Sequence, residues 1–250
     1  MSQPKTPVLV AHRGYSSRYP ENTLPSIEAA IRVKASYVEF DIQMSRDRVP
    51  LLCHDATLLR TSGLNQPVLQ MTASELDRVD VSEPQRLGSR FKRTPVPRLS
   101  KVLHLLAGHL AVHAFIEIKE ESLEHFGVST VMEPVMALVH AYASNCTIIS
   151  FNLACLLRAR NLGAKRIGLV TEREDTQTLD TLNDLRPDFL FTSDTCFSKL
   201  RTTFPGTWRW AVYHTENPTR AIELTQQGAD LVETNAIGDM LDAFKGISDE

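Results

Sequence analysis

A histidine and an arginine close an apolar run in "VLVAHRGY", where His12 and Arg13 follow residues 8–11. Two other apolar stretches also carry charge. "YVEFDIQM" holds Glu39 and Asp41, and "FIEIKE" holds Glu117 and Lys119. Residues two apart on a strand point to the same face, so each pair projects together. Carboxylates set among apolar residues are costly to bury unless a cation compensates them. Three carboxylates with no cysteine nearby suit one hard divalent cation, Mg²⁺ or Ca²⁺, with water completing its shell. Arg13 and Lys119 are placed to neutralise a phosphate beside that cation, Arg through a bidentate fork and Lys as a point charge. Histidine ordinarily titrates near neutral pH, which suits one of His12 and His54 to give a proton while the other takes one. The ensemble reads as metal-assisted phosphoryl transfer. The competing reading of Glu39 and Asp41 alone is an edge strand with both carboxylates in water.

These residues need elements that bring them together. Residues 8–12 read as a strand, and "ENTLPSIEAAIRVKA" has Leu24, Ile27, Ala30 and Ile31 at helical spacing. Asn22 or Thr23 is the expected N-cap, with Pro25 in the first turn. Residues 37–44 alternate as a strand does. A strand at 49–55 follows the turn "SRDR", too short for a parallel crossover, so it must fold back antiparallel. With that turn centred on Asp47-Arg48, His54 lands opposite Asp41. The stretch 58–98 is polar, contains Pro67, Pro84, Pro95 and Pro97, and offers one helical candidate, "TASELDRVD"; it reads as an inserted lobe. Further strands are expected at 112–118, 146–151, 166–171, 188–193, 208–213 and 230–234. Helices are expected at 100–108, 123–143, 153–162, 176–185, 219–227 and 238–245. Eight parallel strands alternating with helices predict a (β/α)8 TIM-type barrel, a single domain over 1–250 with a small insertion after the second strand. An open doubly wound sheet is the alternative. In a barrel, strand ends at the C-terminal mouth carry the chemistry, which is where His12 and Arg13 stand.

Composition narrows the classes further. The chain has 250 residues, 42% hydrophobic and 23% charged, with a net charge of -3. That supports a sizeable core and gives no general attraction to nucleic acid or anionic membrane. The four cysteines, Cys53, Cys146, Cys155 and Cys196, form no C-x-x-C pair, which predicts reduced thiols. "MSQPKTP" lacks the basic-then-apolar pattern of a signal peptide, and no run approaches the roughly 20 apolar residues of a membrane span. The expected address is cytoplasmic, with no membrane insertion; self-pairing into a homodimer is left open.

The ordered series "AHRG", "PENT", E-x-D, "HD" and E-I-K over residues 8–120 resembles the glycerophosphodiester phosphodiesterases. The likeness continues weakly through "SF" at 150–151 to the last strand. The resemblance implies a TIM-type barrel with a small insertion after the second strand. It also implies hydrolysis of glycerophosphodiesters to sn-glycerol 3-phosphate and an alcohol with a divalent metal, in glycerol and lipid metabolism. Carried over, the family's histidine pair falls on His12 and His54, its metal carboxylates on Glu39, Asp41 and Glu117, and its phosphate-binding cations on Arg13 and Lys119. The family's glycerol hydroxyl is held to attack phosphorus first, giving a cyclic phosphate that water opens. Two departures stand out: "HTEN" at 214–217 where the family usually has W-T-V-N, and "ETN" at 233–235 where it usually ends T-D. Both are expected to shape the leaving-group side and to leave the core chemistry untouched. Phe151 and Tyr213 are candidate pocket-lining residues. Trp208 and Trp210 are read as packing, and Glu21 and Asn22 as fixing the first loop. His104, His109, His113, His125 and His140 are read as surface or packing residues. Two other readings are a phospholipase D-like relative of the spider-toxin type and a non-catalytic glycerophosphodiester-binding protein. The first is disfavoured by the lack of disulfide signals, the second by retention of both histidines and all three carboxylates.

Overall fold

The computed structural model describes residues 6–245, so the ends of the expected 1–250 domain, including most of "MSQPKTP", lie outside the described residues. Eight strands form the barrel: β1 (Leu9–Ala11), β2 (Tyr37–Met44), β3 (His113–Ile118), β4 (Cys146–Ser150), β5 (Ile167–Val170), β6 (Phe189–Ser193), β7 (Arg209–Tyr213) and β8 (Leu231–Thr234). Each pairs in parallel with the next, and β1 pairs with both β2 and β8. That closure makes the fold a TIM-type barrel and excludes the open sheet.

Alternation along the strands separates two cores. Outward residues such as Val38, Phe40, Ile116, Ile148 and Val212 pack under the helices. Inward, Val10, Phe115, Ile149, Val170, Phe189, Phe191, Ala211 and Leu231 fill the barrel. Phe115 meets Phe189 and Phe191 edge-on at 5.0 Å, an arrangement aromatic rings favour. This apolar plug separates the polar residues of the C-terminal mouth from those at the opposite end, where His113 and Arg209 lie against Phe115 and Phe189.

The first helix, Leu24–Arg32, is capped by Thr23 in a reciprocal box with Ser26, so Thr23 and not Asn22 is the N-cap. The single helix expected over 123–143 is broken. Glu120–Phe126 ends at Gly127, whose φ of 82° turns the chain, and Val128–Val139 follows, then a 3-10 segment His140–Asn145. A helix at Asp194–Thr203 was not expected from so polar a stretch; it is held by buried Phe197 and Leu200 on one face.

After β2 the chain folds back antiparallel, as expected, but the strand spans only Pro50–Leu52. Ile42 faces Leu52, one residue off the expected register, because the reversal occupies 45–49 with Arg48 at φ 62°. Cys53 thus lies opposite Asp41 and donates its N–H to the Asp41 carbonyl at 3.1 Å.

Residues 58–98 form a lobe around Leu51, Cys53, Leu58, Val68, Leu76, Val81 and Val96. Its helical candidate contracts to Ala73–Leu76, capped by Thr72 and Glu75. The lobe packs on the loop that follows β1. Glu83 accepts from the Glu21 N–H at 2.7 Å, and Arg86 donates to the carbonyls of Ser17 and Tyr19 at 3.1 and 2.9 Å. Among the described residues, no helix is long and apolar enough to cross a membrane.

Candidate active site

The loop after β1 is built to present backbone and side chain of Arg13 to β2. Arg13 itself adopts φ 56° and Gly14 φ 79°. A Cβ on Gly14 would come within 2.5 Å of Ser26 Oγ and 2.6 Å of the Ser26 carbonyl carbon, so only glycine lets the loop lie on the helix start. The Arg13 N–H donates to Glu39 Oε2 at 3.0 Å. Its guanidinium donates to Glu21 at 3.0 Å. Nε lies 3.1 Å from Asp41 Oδ2, an ion pair off the hydrogen-bonding direction, since Nε has no hydrogen-bond partner. Strained backbone of this kind concentrates at functional sites.

Glu39, Asp41 and Glu117 offer oxygens that all lie within 4.8 Å of one another. Asp41 is also clamped by Asn22, which donates from Nδ2 at 2.8 Å and accepts the Asp41 N–H at 3.0 Å. Lys119 Nζ sits 2.8 Å from Glu117 and 3.5 Å from Asp41. Burial opposes ionisation of all three carboxyls, with different outcomes. At Asp41 the Arg13 and Lys119 cations outweigh it and hold the group below the usual range. Glu39 stays well above its ordinary value because burial is reinforced by Asp41, Glu233 and Glu117. Glu117 is raised by burial and by Asp41. Glu39 Oε1 is buried with no hydrogen-bond partner. Clustered carboxyls, two of them raised by burial and by neighbouring negative charge and one with an orphaned oxygen, fit a hard divalent cation.

The two histidines have different supports. His12 is half-buried, and desolvation followed by the Arg13 charge lowers it to about 3, so the ring is neutral at physiological pH. Its Nδ1 lies 2.9 Å from Asn235 Oδ1, which can only accept, so Nδ1 carries the proton and Nε2 the lone pair. Nε2 is 3.9 Å from Glu39. His214 stacks on the same ring, 5.0 Å between centroids and 19° between planes. His54 instead donates from Nδ1 to Asp55 at 2.7 Å, and Asp55 takes two hydrogen bonds from Arg60 at 2.8 and 3.0 Å.

All nine sequence-derived residues converge. A cavity of about 240 Å³ is lined by His12, Arg13, His54, Glu117, Lys119, Phe151 and Tyr213, among others, and Glu39 and Asp41 sit buried beside it. Phe151 is 43% exposed at its rim, and the Tyr213 hydroxyl donates to Glu172 at 3.1 Å. A wider cleft of about 530 Å³ adjoins it, sharing His12, Arg13 and His214 and running out to the lobe residues Arg60, Glu83 and Arg86.

Two expectations are corrected here. The departures at 214–217 and 233–235 do touch the core, since His214 stacks on His12 and Asn235 bonds its ring. Glu21 and Asn22 are not merely loop-fixing: they grip Arg13 and Asp41. Asp55 was visible in the "HD" pair, but nothing in local spacing linked Asn235 to His12.

The profile of the glycerophosphoryl diester phosphodiesterase family matches residues 12–193. A glycerophosphodiester phosphodiesterase of Bacillus altitudinis is 32% identical over 123 residues, 48% of either chain. Human glycerophosphodiester phosphodiesterase 1 is 27% identical over 164 residues, 66% of this chain and 48% of that one. The chain thus spans about half the length of the curated relatives it matches. A phosphodiesterase of Oleispira antarctica, solved in complex with the product sn-glycerol-3-phosphate, superposes with a TM-score of 0.83 at 20% identity, over 96% of this chain and 97% of that one. A glycerophosphodiester phosphodiesterase of Thermotoga maritima gives 0.73 at 22% identity, over 96% and 99%. At such identities the structural likeness speaks for the fold.

Proposed function

The chain belongs to the glycerophosphoryl diester phosphodiesterase family, and from that premise we propose that it hydrolyses glycerophosphodiesters to sn-glycerol 3-phosphate and an alcohol. The observation that carries this is the convergence of His12, His54, Arg13 and Lys119 on one cavity beside three clustered carboxylates. The product held by the Oleispira antarctica relative is the product expected here. The four cysteines are free, in keeping with a cytosolic address.

Glu39, Asp41 and Glu117 would hold one divalent cation, Mg²⁺ or Ca²⁺. When bound it supplies positive charge to the phosphate and makes a neighbouring hydroxyl more acidic. Arg13 and Lys119 bind the phosphate oxygens and offset charge that develops there. His12 Nε2, with its lone pair, takes the proton of the glycerol hydroxyl next to the phosphorylated carbon as that oxygen bonds to phosphorus. His54, its Nδ1 fixed by Asp55, gives a proton from Nε2 to the departing alkoxide. Water then opens the cyclic phosphate with the roles exchanged. It loses a proton to His54 as it bonds to phosphorus, while protonated His12 returns a proton to the ring oxygen. Both rings end as they began.

A panel of glycerophosphodiesters with choline, ethanolamine, glycerol and inositol headgroups tests the reading. Release of glycerol 3-phosphate that EDTA stops and Mg²⁺ or Ca²⁺ restores is the expected result. No release from any of them, from folded protein supplied with metal, overturns it.

A further inference from the structure

Among the described residues that line the cavity, one carboxyl group has no part in the reaction above: Glu233. Leu231 belongs to the apolar plug, so Glu233, two residues on along β8, points into the same interior. It is 3% exposed, lines the cavity of about 240 Å³ with His12, Arg13, Glu117 and Lys119, and its Oε1 has no hydrogen-bond partner among the described residues. Buried polar atoms in native proteins are almost always paired. No described residue supplies the donor that this oxygen lacks, and a bound molecule can supply it. Glu233 also lies outside the cluster whose oxygens converge for a cation. The same cavity is lined on another side by apolar Ile149, Val170 and Phe191. Such a wall suits carbon, and an orphaned acceptor suits a hydroxyl; together they fit a short polyol.

We propose that Glu233 accepts a hydrogen bond from the terminal hydroxyl of the glycerol moiety and so selects glycerol diesters over diesters that lack it. This rests on the reading of the chain as a glycerophosphodiester hydrolase. In that reaction the hydroxyl next to the phosphorylated carbon attacks, while the terminal hydroxyl forms and breaks no bond. Its only use is recognition. Acceptance needs a lone pair alone, so the role holds for Glu233 neutral or ionised. A site built to bond a hydroxyl discriminates strongly against the analogue without it, because the protein group is then left buried and unpaired.

The test compares kcat/KM for a glycerophosphodiester and for the same diester built on propane-1,2-diol, which keeps the attacking hydroxyl and lacks the terminal one. Wild type, Glu233→Gln and Glu233→Leu are assayed with Mg²⁺, and thermal melts check folding. Wild type should prefer the glycerol diester by about 10–100-fold, the cost of leaving one buried acceptor unpaired. Gln, which keeps an acceptor, should retain part of that preference. Leu should bring it to about unity, chiefly through KM. An undiminished preference in Leu overturns the proposal, as does one in Gln should Leu fail to fold. A rise of about tenfold or more in the Mg²⁺ needed for half-maximal activity in both variants also overturns it, because Glu233 would then serve the cation. If folded wild type cleaves neither diester, the parent reading fails and takes this one with it.

Discussion

His12 and His54 differ in what holds the nitrogen turned away from the cavity, and the proposed assignment of base and acid rests on that difference. A neutral amide oxygen fixes the His12 proton on Nδ1 and supports an imidazolium only weakly, since burial and then Arg13 outweigh it. The carboxylate of Asp55 stands against His54 and offsets its charge when protonated. Replacing Asn235 by Asp keeps the tautomer but puts a carboxylate behind His12. The ring becomes more basic, so the acidic limb of the pH–kcat/KM profile, which reports the base, should move to higher pH. Asn235→Leu should leave the tautomer unfixed and lower kcat. A profile unmoved by Asn235→Asp would remove His12 as the base. The complementary expectation concerns the leaving group. Either His→Ala change should lower kcat on ordinary substrates by about 10²–10⁴-fold. A glycerophosphodiester of p-nitrophenol, whose leaving group needs no proton, should largely rescue His54→Ala and not His12→Ala. Equal rescue of both would contradict the assignment.

Among the elements, the β1–helix loop is the one whose conformation the site cannot spare. Gly14→Ala forces a Cβ into Ser26 at a positive φ, so it should destabilise by more than about 1 kcal/mol. That corresponds to about 2–4 °C in Tm per kcal/mol for a chain of this size. KM should rise as well, because Arg13 leaves Asp41 and the phosphate position. A variant with wild-type Tm and KM would show that the loop tolerates a side chain there. Which elements could be read in advance follows from where their information lies. β2 and β3 announce themselves by alternation around Glu39, Asp41 and Glu117, and those three residues fall on adjacent strands with Asp41 beside Glu117 and Lys119 just past the end of β3. The helix Asp194–Thr203 hides because only Phe197 and Leu200 are buried in it, too few to mark a period. The one-residue error at His54 came from a loop that runs through a left-handed Arg48, which a charged residue gives no reason to expect. Asn235 and His214 were out of reach for another reason. They meet His12 across 223 and 202 residues of chain only because β8 closes on β1.

At the scale of the whole molecule, the mouth is a pocket of charge whose balance should tie stability to pH and, with the proposed cation, to metal. Burial, Glu117 and Asp41 raise Glu233 from 4.5 to about 8, and Glu39 and Glu117 are raised as well. A carboxyl raised on folding contributes stability fully below its unfolded value, and that contribution is lost as pH climbs through its folded one. For Glu233 the loss runs from about pH 4.5 to about pH 8. His12 works in the other direction. Lowered from 6.5 to about 3, it contributes above its unfolded value and loses that contribution as pH falls from about 6.5 to about 3. Metal-stripped protein should therefore be most stable between these limits, in mildly acidic buffer, with Tm falling on the alkaline side. A divalent cation bound by Glu39, Asp41 and Glu117 requires ionised ligands, so binding should release protons and offset the alkaline loss. Saturating Mg²⁺ or Ca²⁺ should raise Tm more at about pH 8 than at about pH 6. The measurement is a thermal melt across pH, with EDTA and with each metal. Glu233→Gln, which cannot ionise, should flatten the alkaline decline of the stripped protein. A metal-induced rise in Tm that is the same at both pH values would mean that the ligands are already ionised in the empty site. The repulsion among the buried carboxyls would then not be what the cation relieves.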